Sequence, residues 1–255
     1  MIRVGLCLAA LCWPLAASAE GESIVSGLSQ TRVAITADFD GSEILVYGAV
    51  KRESAIPDSR LDVIVTVEGP EGPVTVRRKD RIAGIWINDA AVGIDSAPTF
   101  YAVATTRGLE RILSSTDDHR HRITIDRLIR AVGIADPALE HEDFIRGLIR
   151  VRTAEGRYRQ LERTIELSED TLFRADIALP ANLTEGEYRV RMFLLRERNV
   201  IAVQEKTINV RKEGLERAIY NLSQEQPLIY GVLSLVLAAL AGYGASAAFR
   251  LLRRG

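Results

Sequence analysis

Residues 179–195 read LPANLTEGEYRVRMFLL, and the order of side chains in this stretch selects a fold class. Leu183, Gly186, Tyr188 and Val190 stand at the spacing of a tyrosine corner. In that motif a tyrosine hydroxyl near the start of a strand satisfies backbone groups where the chain crosses between the sheets of a β-sandwich. Val190 falls where an antibody domain carries its second cysteine. A hairpin around Arg198 and Asn199 then leads into another extended run over residues 200–210.

The same pattern continues on both sides of this stretch. Leu161, Ile165 and Leu167 alternate with charged residues, and Phe173, Ala175, Ile177 and Leu179 repeat at period two. Alternation of this kind turns one strand face to a core and the other to water. Farther upstream, Val33, Ile35 and Ala37 alternate before the Asp40-Gly41 turn signal. The runs at 44–47, at Leu61, Val63, Val65 and Val67, at 74–76, at 83–87 and at 100–104 follow, with EGPEGP at 68–73 as a turn-rich joint. Between the two β-rich segments, residues 107–154 carry helical spacing. The segments are 108–114, then 125–132 with Thr124 as cap and Gly133 as stop, then a helix opened by Asp136 and Pro137 with Phe144, Ile145, Leu148 and Ile149 on its stripe. About ten or eleven strands exceed the seven of one simple sandwich domain. That count favours two lobes, residues 20–106 and 155–211, although one sandwich interrupted by helices also fits. The expected fold is mainly β: immunoglobulin-like antiparallel β-sandwich lobes with a helical insertion and a C-terminal transmembrane helix.

The two ends of the chain place it in a cell. Residues 1–19 combine Arg3, a short apolar run and Ala17-Ser18-Ala19, the composition of a secretory signal peptide. Cys7 and Cys12 are the two cysteines of the chain and both lie in that leader, so the exported part is expected to fold without disulfides. Residues 228–249 form an uncharged run of 22, about 33 Å as a helix, enough to cross a hydrocarbon layer of about 30 Å. Arg250, Arg253 and Arg254 follow it, and the positive-inside rule puts residues 250–255 in the cytoplasm. A juxtamembrane helix over 212–227, with Leu215, Ala218, Ile219 and Leu222 on one face, joins the span to the domain. Leader and tail agree on one topology: a bacterial inner-membrane protein with a single pass, its N-terminal domain periplasmic.

Charge and motif content narrow the function. Beyond residue 19 there are 32 basic and 34 acidic side chains, a net charge of −2, which excludes nucleic acid as a partner. Arginine outnumbers lysine 29 to 4, the mark of a GC-rich genome rather than of a binding role. The three histidines are His119, His121 and His141. His119-Arg120-His121 has the form of a metal-binding pair, but Arg120 and Arg122 interleave it and would repel a cation, so a solvated loop is expected. G-x-S-x-G, H-E-x-x-H and phosphate-cradling glycine loops do not occur. The expectation is a protein without catalytic residues, cofactor or metal.

Two stretches invite contact with a partner. RRKDRIAGIWIN, residues 77–88, sets a cationic run against an apolar one, and Arg77, Arg78, Arg81 and Trp86 could form an anion or partner patch. Ile85 and Ile87 share one face of a strand there, which leaves Trp86 on the other, and burial of Trp86 against a helix or the second lobe is the favoured expectation. In the span, Ala238, Gly242 and Ser246 recur every fourth residue, with Ala241 and Ala245 beside them. Small residues at that spacing allow close approach of another helix, from a second copy of the chain (a homo-oligomer) or from a polytopic membrane protein.

Several segments in order resemble one family: Val33 to Thr36, Phe39-Asp40-Gly41, Gly48-Ala49-Val50, Asp62 to Pro70, the 77–88 stretch, and Pro98 to Tyr101, closed by the C-terminal span. Together they are similar to the alphaproteobacterial single-pass transmembrane proteins of unknown function, the Alph_Pro_TM type. That family has no assigned activity or catalytic residues, so the resemblance implies none. It implies a partner class, because members look to be often encoded near permeases of the sulfite-exporter (TauE/SafE) type. The expected function is that of a non-enzymatic accessory or partner-binding module for an inner-membrane transporter, lodged in the lipid bilayer. A periplasmic ligand or metal sensor and a cell-envelope structural protein are the alternatives.

Overall fold

The computed structural model describes residues 21–53, 55–82, 84–130 and 141–252. The expected leader, the Gly133 stop and the Asp136-Pro137 helix start lie outside these residues. In chain order the elements are β1 (Ser23–Leu28), β2 (Arg32–Ile35), β3 (Gly41–Lys51), β4 (Leu61–Glu68), β5 (Glu71–Ile82), β6 (Ile85–Pro98) and β7 (Tyr101–Thr105). Then come α1 (Leu109–Ile112), α2 (Ser115–His121), α3 (Ile125–Leu128) and α4 (His141–Ala154). The second β-rich part contains β8 (Tyr158–Leu161), β9 (Glu166–Ser168), β10 (Leu172–Pro180), β11 (Gly186–Arg196) and β12 (Asn199–Lys212), followed by α5 (Leu215–Glu225) and α6 (Pro227–Leu252).

The strands of the two β-rich segments are interleaved. One sheet has the order β1-β3-β10-β9 and the other β2-β12-β11-β4-β7-β8. β10 pairs with β3, and β11 pairs with β4, so each sheet needs strands from both segments. Their inner faces share one core, with Ile44, Val46, Phe173 and Ile177 from the first sheet against Val63, Val65, Val190 and Met192 from the second. The expectation of two lobes is therefore replaced by one sandwich interrupted by helices. Period-two alternation states which residues face a core, but it does not state whose core they face. The sheets are also not purely antiparallel, since β2 joins β12 and β8 joins β7 in parallel.

Every residue of β4 is buried, which requires cover on both faces of the six-stranded sheet. The four-stranded sheet covers the face carrying Leu61, Val63, Val65 and Val67. The other face carries Ile64, Tyr101, Val103, Phe193 and Leu195, and Leu109, Ile112, Ile123 and Leu148 of the helical segment pack on it. β10 has no such second layer, and its burial strictly alternates: Phe173, Ala175, Ile177 and Leu179 point in and the residues between them are exposed. The helices are thus a third layer, and polar groups fix it in place. The Tyr101 hydroxyl donates to the Ile123 carbonyl at 2.6 Å, and the Asp117 carboxylate accepts from the Val200 amide at 2.8 Å.

The tyrosine corner forms as its spacing predicts. Tyr188 is fully buried, and its hydroxyl donates to the Thr184 carbonyl at 2.9 Å while accepting from the Thr184 amide at 3.2 Å. The 115–121 stretch departs from expectation. It is a helix rather than a loop, because the Ser114 side chain caps it by accepting from the Asp117 amide. The stretch expected to be helical over 125–132 ends its helix at Leu128.

Candidate functional site

Among the described strands β5 and β6 pair with each other and form a two-stranded ribbon outside both sheets. Its root is held firmly. The Thr99 amide donates to the Pro70 carbonyl at 2.9 Å, Arg130 forms a β-bridge to Ser96, and Val92 and Ile94 are buried. Six residues separate Val76, which lies opposite Val92, from the end of β5 at Ile82, so roughly 20 Å of ribbon extends past the last buried rung. The ribbon turns between Ile82 and Ile85, where Gly84 takes φ +85°, a left-handed conformation that glycine adopts without a Cβ penalty.

Trp86 is 66% exposed, Ile85 68%, Ile82 50% and Ile87 42%. The expected burial of Trp86 does not occur. The ribbon extends past the described helices, and none of the described elements covers its tip. Cross-strand register sorts the side chains: Arg81 lies opposite Trp86, Lys79 opposite Asn88, Ile82 opposite Ile85 and Asp80 opposite Ile87. Because faces alternate along a strand, Arg77, Lys79, Arg81 and Trp86 share one face, and Arg78, Asp80, Ile82, Ile85 and Ile87 share the other. Arg78 continues the side carrying Val74 and Val76, and its guanidinium lies 5.9 Å from the Phe144 ring centre on α4. It also pairs with Asp89 at 3.4 Å.

The register sets Arg81 of the expected patch directly opposite Trp86, with Arg77 four residues back on β5 and Arg78 turned to α4, and Arg77, Arg78 and Lys79 all line one groove. Lys79 was missed. Its place at period two between Arg77 and Arg81 could have identified it. A groove of about 440 Å³ lies between this ribbon and α4, lined by Val76, Arg78, Phe144 and Arg150 among others.

Two other places gather polar groups. At the ribbon root, Glu68 is buried at the end of β4, and Arg189 lies 3.0 Å from its carboxylate and 3.6 Å from that of Glu71. Burial, reinforced by the Glu71 carboxyl beside it, raises the Glu68 pKa against the pull of Arg189 and Arg191. A cavity of about 450 Å³ in the helical layer is lined by Leu109, Asp118, Ile125, Ile149, Gln160 and Arg198 among others. The Asp118 carboxylate there accepts from the Thr124 amide and hydroxyl, both at 2.8 Å. His119 is exposed, whereas His121 is half-buried with its ring edge-on to Phe193, and burial lowers its pKa. Successive turns of a helix do not bring residues i and i+2 to one face, so the two imidazoles diverge. Among the described residues no group of three His, Cys, Asp or Glu side chains could hold a metal.

α6 is the single helix among the described residues long and apolar enough to cross a membrane, and none of its stretch Pro227–Ser246 is buried. Ala238, Gly242 and Ser246 are all exposed on it, and a Cβ added at Gly242 would meet nothing within 4 Å.

A search of curated proteins returns no match. Among solved structures, the sporulation control protein Spo0M from Bacillus subtilis matches at 9% identity over 76% of this chain and 50% of its own, with a TM-score of 0.26. The chain therefore spans about half the length of that protein, and the likeness is too slight to carry an argument. A family model matches residues 23–251, from the first strand to the last turn of α6, under the description "Putative transmembrane protein (Alph_Pro_TM)". The chain belongs to the Alph_Pro_TM family of transmembrane proteins.

Proposed function

We propose that this chain is a non-enzymatic β-sandwich module, exported to the periplasm and held by α6 in the inner membrane, that serves as an accessory to a polytopic transporter. The observation that carries this reading is the uncovered surface of α6: its whole apolar stretch packs under no other described element. In a bilayer the hydrophobic effect does not drive helices together, and close packing of small residues does. Ala238, Gly242 and Ser246 supply such a face. Two of the buried polar groups, Tyr101 and Asp117, each bond the protein backbone and so act as structural ties. The sulfite-exporter class is the partner that the family resemblance points to.

Pull-down of the full chain in mild detergent tests this. A polytopic membrane protein should be recovered, and recovery should fall when Gly242 is replaced by leucine or α6 by an unrelated apolar helix. Loss of no partner on replacing the whole of α6 would overturn the reading. A second reading, a ligand sensor, is supported by the 450 Å³ cavity of the helical layer with its mixed polar and apolar lining.

A further inference from the structure

We infer that the tip of the β5–β6 ribbon is a lipid-docking element, seated in the headgroup layer of an anionic membrane with Trp86 and its neighbouring isoleucines at the acyl boundary. The inference concerns a surface other than α6, so it holds or fails whether or not the span binds a transporter.

Topology puts the root of the ribbon and the path to the membrane anchor at the same end of the six-stranded sheet, and from that root the ribbon runs beside α4 as far as Phe144. β12 delivers the chain to α5 and α6, and its Val210 lies beside Gly186 at the start of β11. Arg189, three residues farther along β11, lies beside Glu68, the last residue of β4. Glu68 passes through Gly69 and Pro70 directly into β5. The root of the ribbon and the path to α6 therefore leave the six-stranded sheet from one end.

The chemistry of the tip fits lipid better than a protein face. A folded partner covers one side of a ribbon, whereas here both sides carry exposed apolar groups: Trp86 on one, Ile82, Ile85 and Ile87 on the other. A lipid interface surrounds a tip and contacts both. All these apolar groups lie within three residues of the turn, and the cations Arg77, Arg78, Lys79 and Arg81 stand behind or beside them. That order matches a membrane surface entered tip-first, with aromatic and apolar groups at the acyl boundary and lysine and arginine at the phosphates. Four cations against Asp80 and Asp89 leave the exposed ribbon positive on a chain whose overall formal charge is −1. Only the inward-facing backbone groups pair up to the Ile82–Ile85 rung, so the outer edges of the two strands keep their bonds to water and headgroups and hold the tip in the interfacial layer.

The test uses the full chain with Trp13→Phe, so that Trp86 is its sole tryptophan, reconstituted in vesicles of phosphatidylcholine and phosphatidylglycerol with brominated acyl chains. Trp86 emission should shift to shorter wavelength and be quenched by bromine. Replacing Arg77, Lys79 and Arg81 with glutamine should release it, at about fivefold in the docking equilibrium per cationic side chain removed. Circular dichroism should be unchanged by these exposed substitutions, which separates loss of docking from loss of fold. Water-like, unquenched emission in these vesicles would overturn the inference. So would a blue shift without quenching, which means that protein covers the tip: a second copy if single-chain nanodiscs abolish the shift, the same chain if they do not. Equal quenching in phosphatidylcholine alone would overturn the anionic assignment.

Discussion

The Glu22 carboxylate receives both arms of the Arg196 guanidinium, Nε at 2.7 Å and Nη2 at 2.9 Å, from 174 positions away in sequence. Glu22 precedes β1 in the four-stranded sheet and Arg196 ends β11 in the six-stranded one, so the pair ties the two layers at one end of their strands. Arg52, at the end of β3, donates to the same carboxylate and to the Asp170 carbonyl. All three side chains of this triad are about a tenth exposed or less.

Removing the central charge leaves two buried guanidiniums without their counter-ion. Glu22→Gln should destabilise the domain by about 3 kcal/mol, read as a lowered midpoint in urea denaturation followed by circular dichroism. Tryptophan emission is the wrong probe here, because Trp86 is exposed in the folded state. Hydrogen bonding to Arg196 holds the Glu22 pKa below the ordinary 4.5. Its contribution is therefore present above 4.5 and lost as pH falls through the lowered folded value, and the variant should lose that part of the acid sensitivity.

Tyr188→Phe removes one hydroxyl and leaves both polar backbone groups of Thr184 without it. A cost of about 1–2 kcal/mol is expected from the same denaturation measurement. An unchanged midpoint would mean that water replaces the hydroxyl at this corner.

Most single elements were legible in the sequence, and the long-range pairing was not. Phe173, Ala175, Ile177 and Leu179 reveal an inward strand face by alternation alone, and Leu183, Gly186 and Tyr188 reveal the corner. Nothing local in β10 states that Ala175 will lie beside Val46, because that register is a product of packing complementarity over a long chain separation. α2 was legible but overlooked: Ser114 and Asp117 stand at the capping-box spacing, and the polar run between the histidines concealed it. The hairpin tip was misread for a different reason. Apolar residues at the tip imply burial on average, and exposure of Trp86 depends on where the helical layer stops, which composition does not encode.

Gly48 should tolerate no side chain. A Cβ built there would lie 2.5 Å from Cζ of Phe173, whose ring belongs to the inner face of β10 and is held by the core. Gly48→Ala would ordinarily stabilise a strand by about 0.5 kcal/mol. Here overpacking reverses the sign, and a net loss of about 1–3 kcal/mol is expected. Pairing Gly48→Ala with Phe173→Leu in a double-mutant cycle should recover part of the loss, because the smaller side chain vacates the position the new methyl needs.

The carboxyl pair at the ribbon root gives the last prediction, in which two neighbours act with opposite signs. Burial raises the Glu68 pKa above the ordinary 4.5, so its stabilising form is the protonated one. That contribution is complete below 4.5 and is lost as pH rises through the raised folded value. The hydroxyl of Ser96 lowers the pKa of Glu71, with the Glu68 carboxyl second, so its contribution is present above 4.5 and fades as pH falls below it. The two windows lie on opposite sides of 4.5 and can be separated by substitution. Glu68→Gln keeps an acceptor for Arg189 and fixes the uncharged state, so the decline in stability just above pH 4.5 should flatten while the acid limb remains. Glu71→Gln should do the reverse. Urea midpoints of both variants from pH 3 to 8 check this, and a Glu68→Gln profile that still falls above 4.5 would show that another group titrates there. Because Glu68 and Glu71 bracket Gly69 and Pro70, the same measurement reports how firmly the ribbon is rooted in the sandwich.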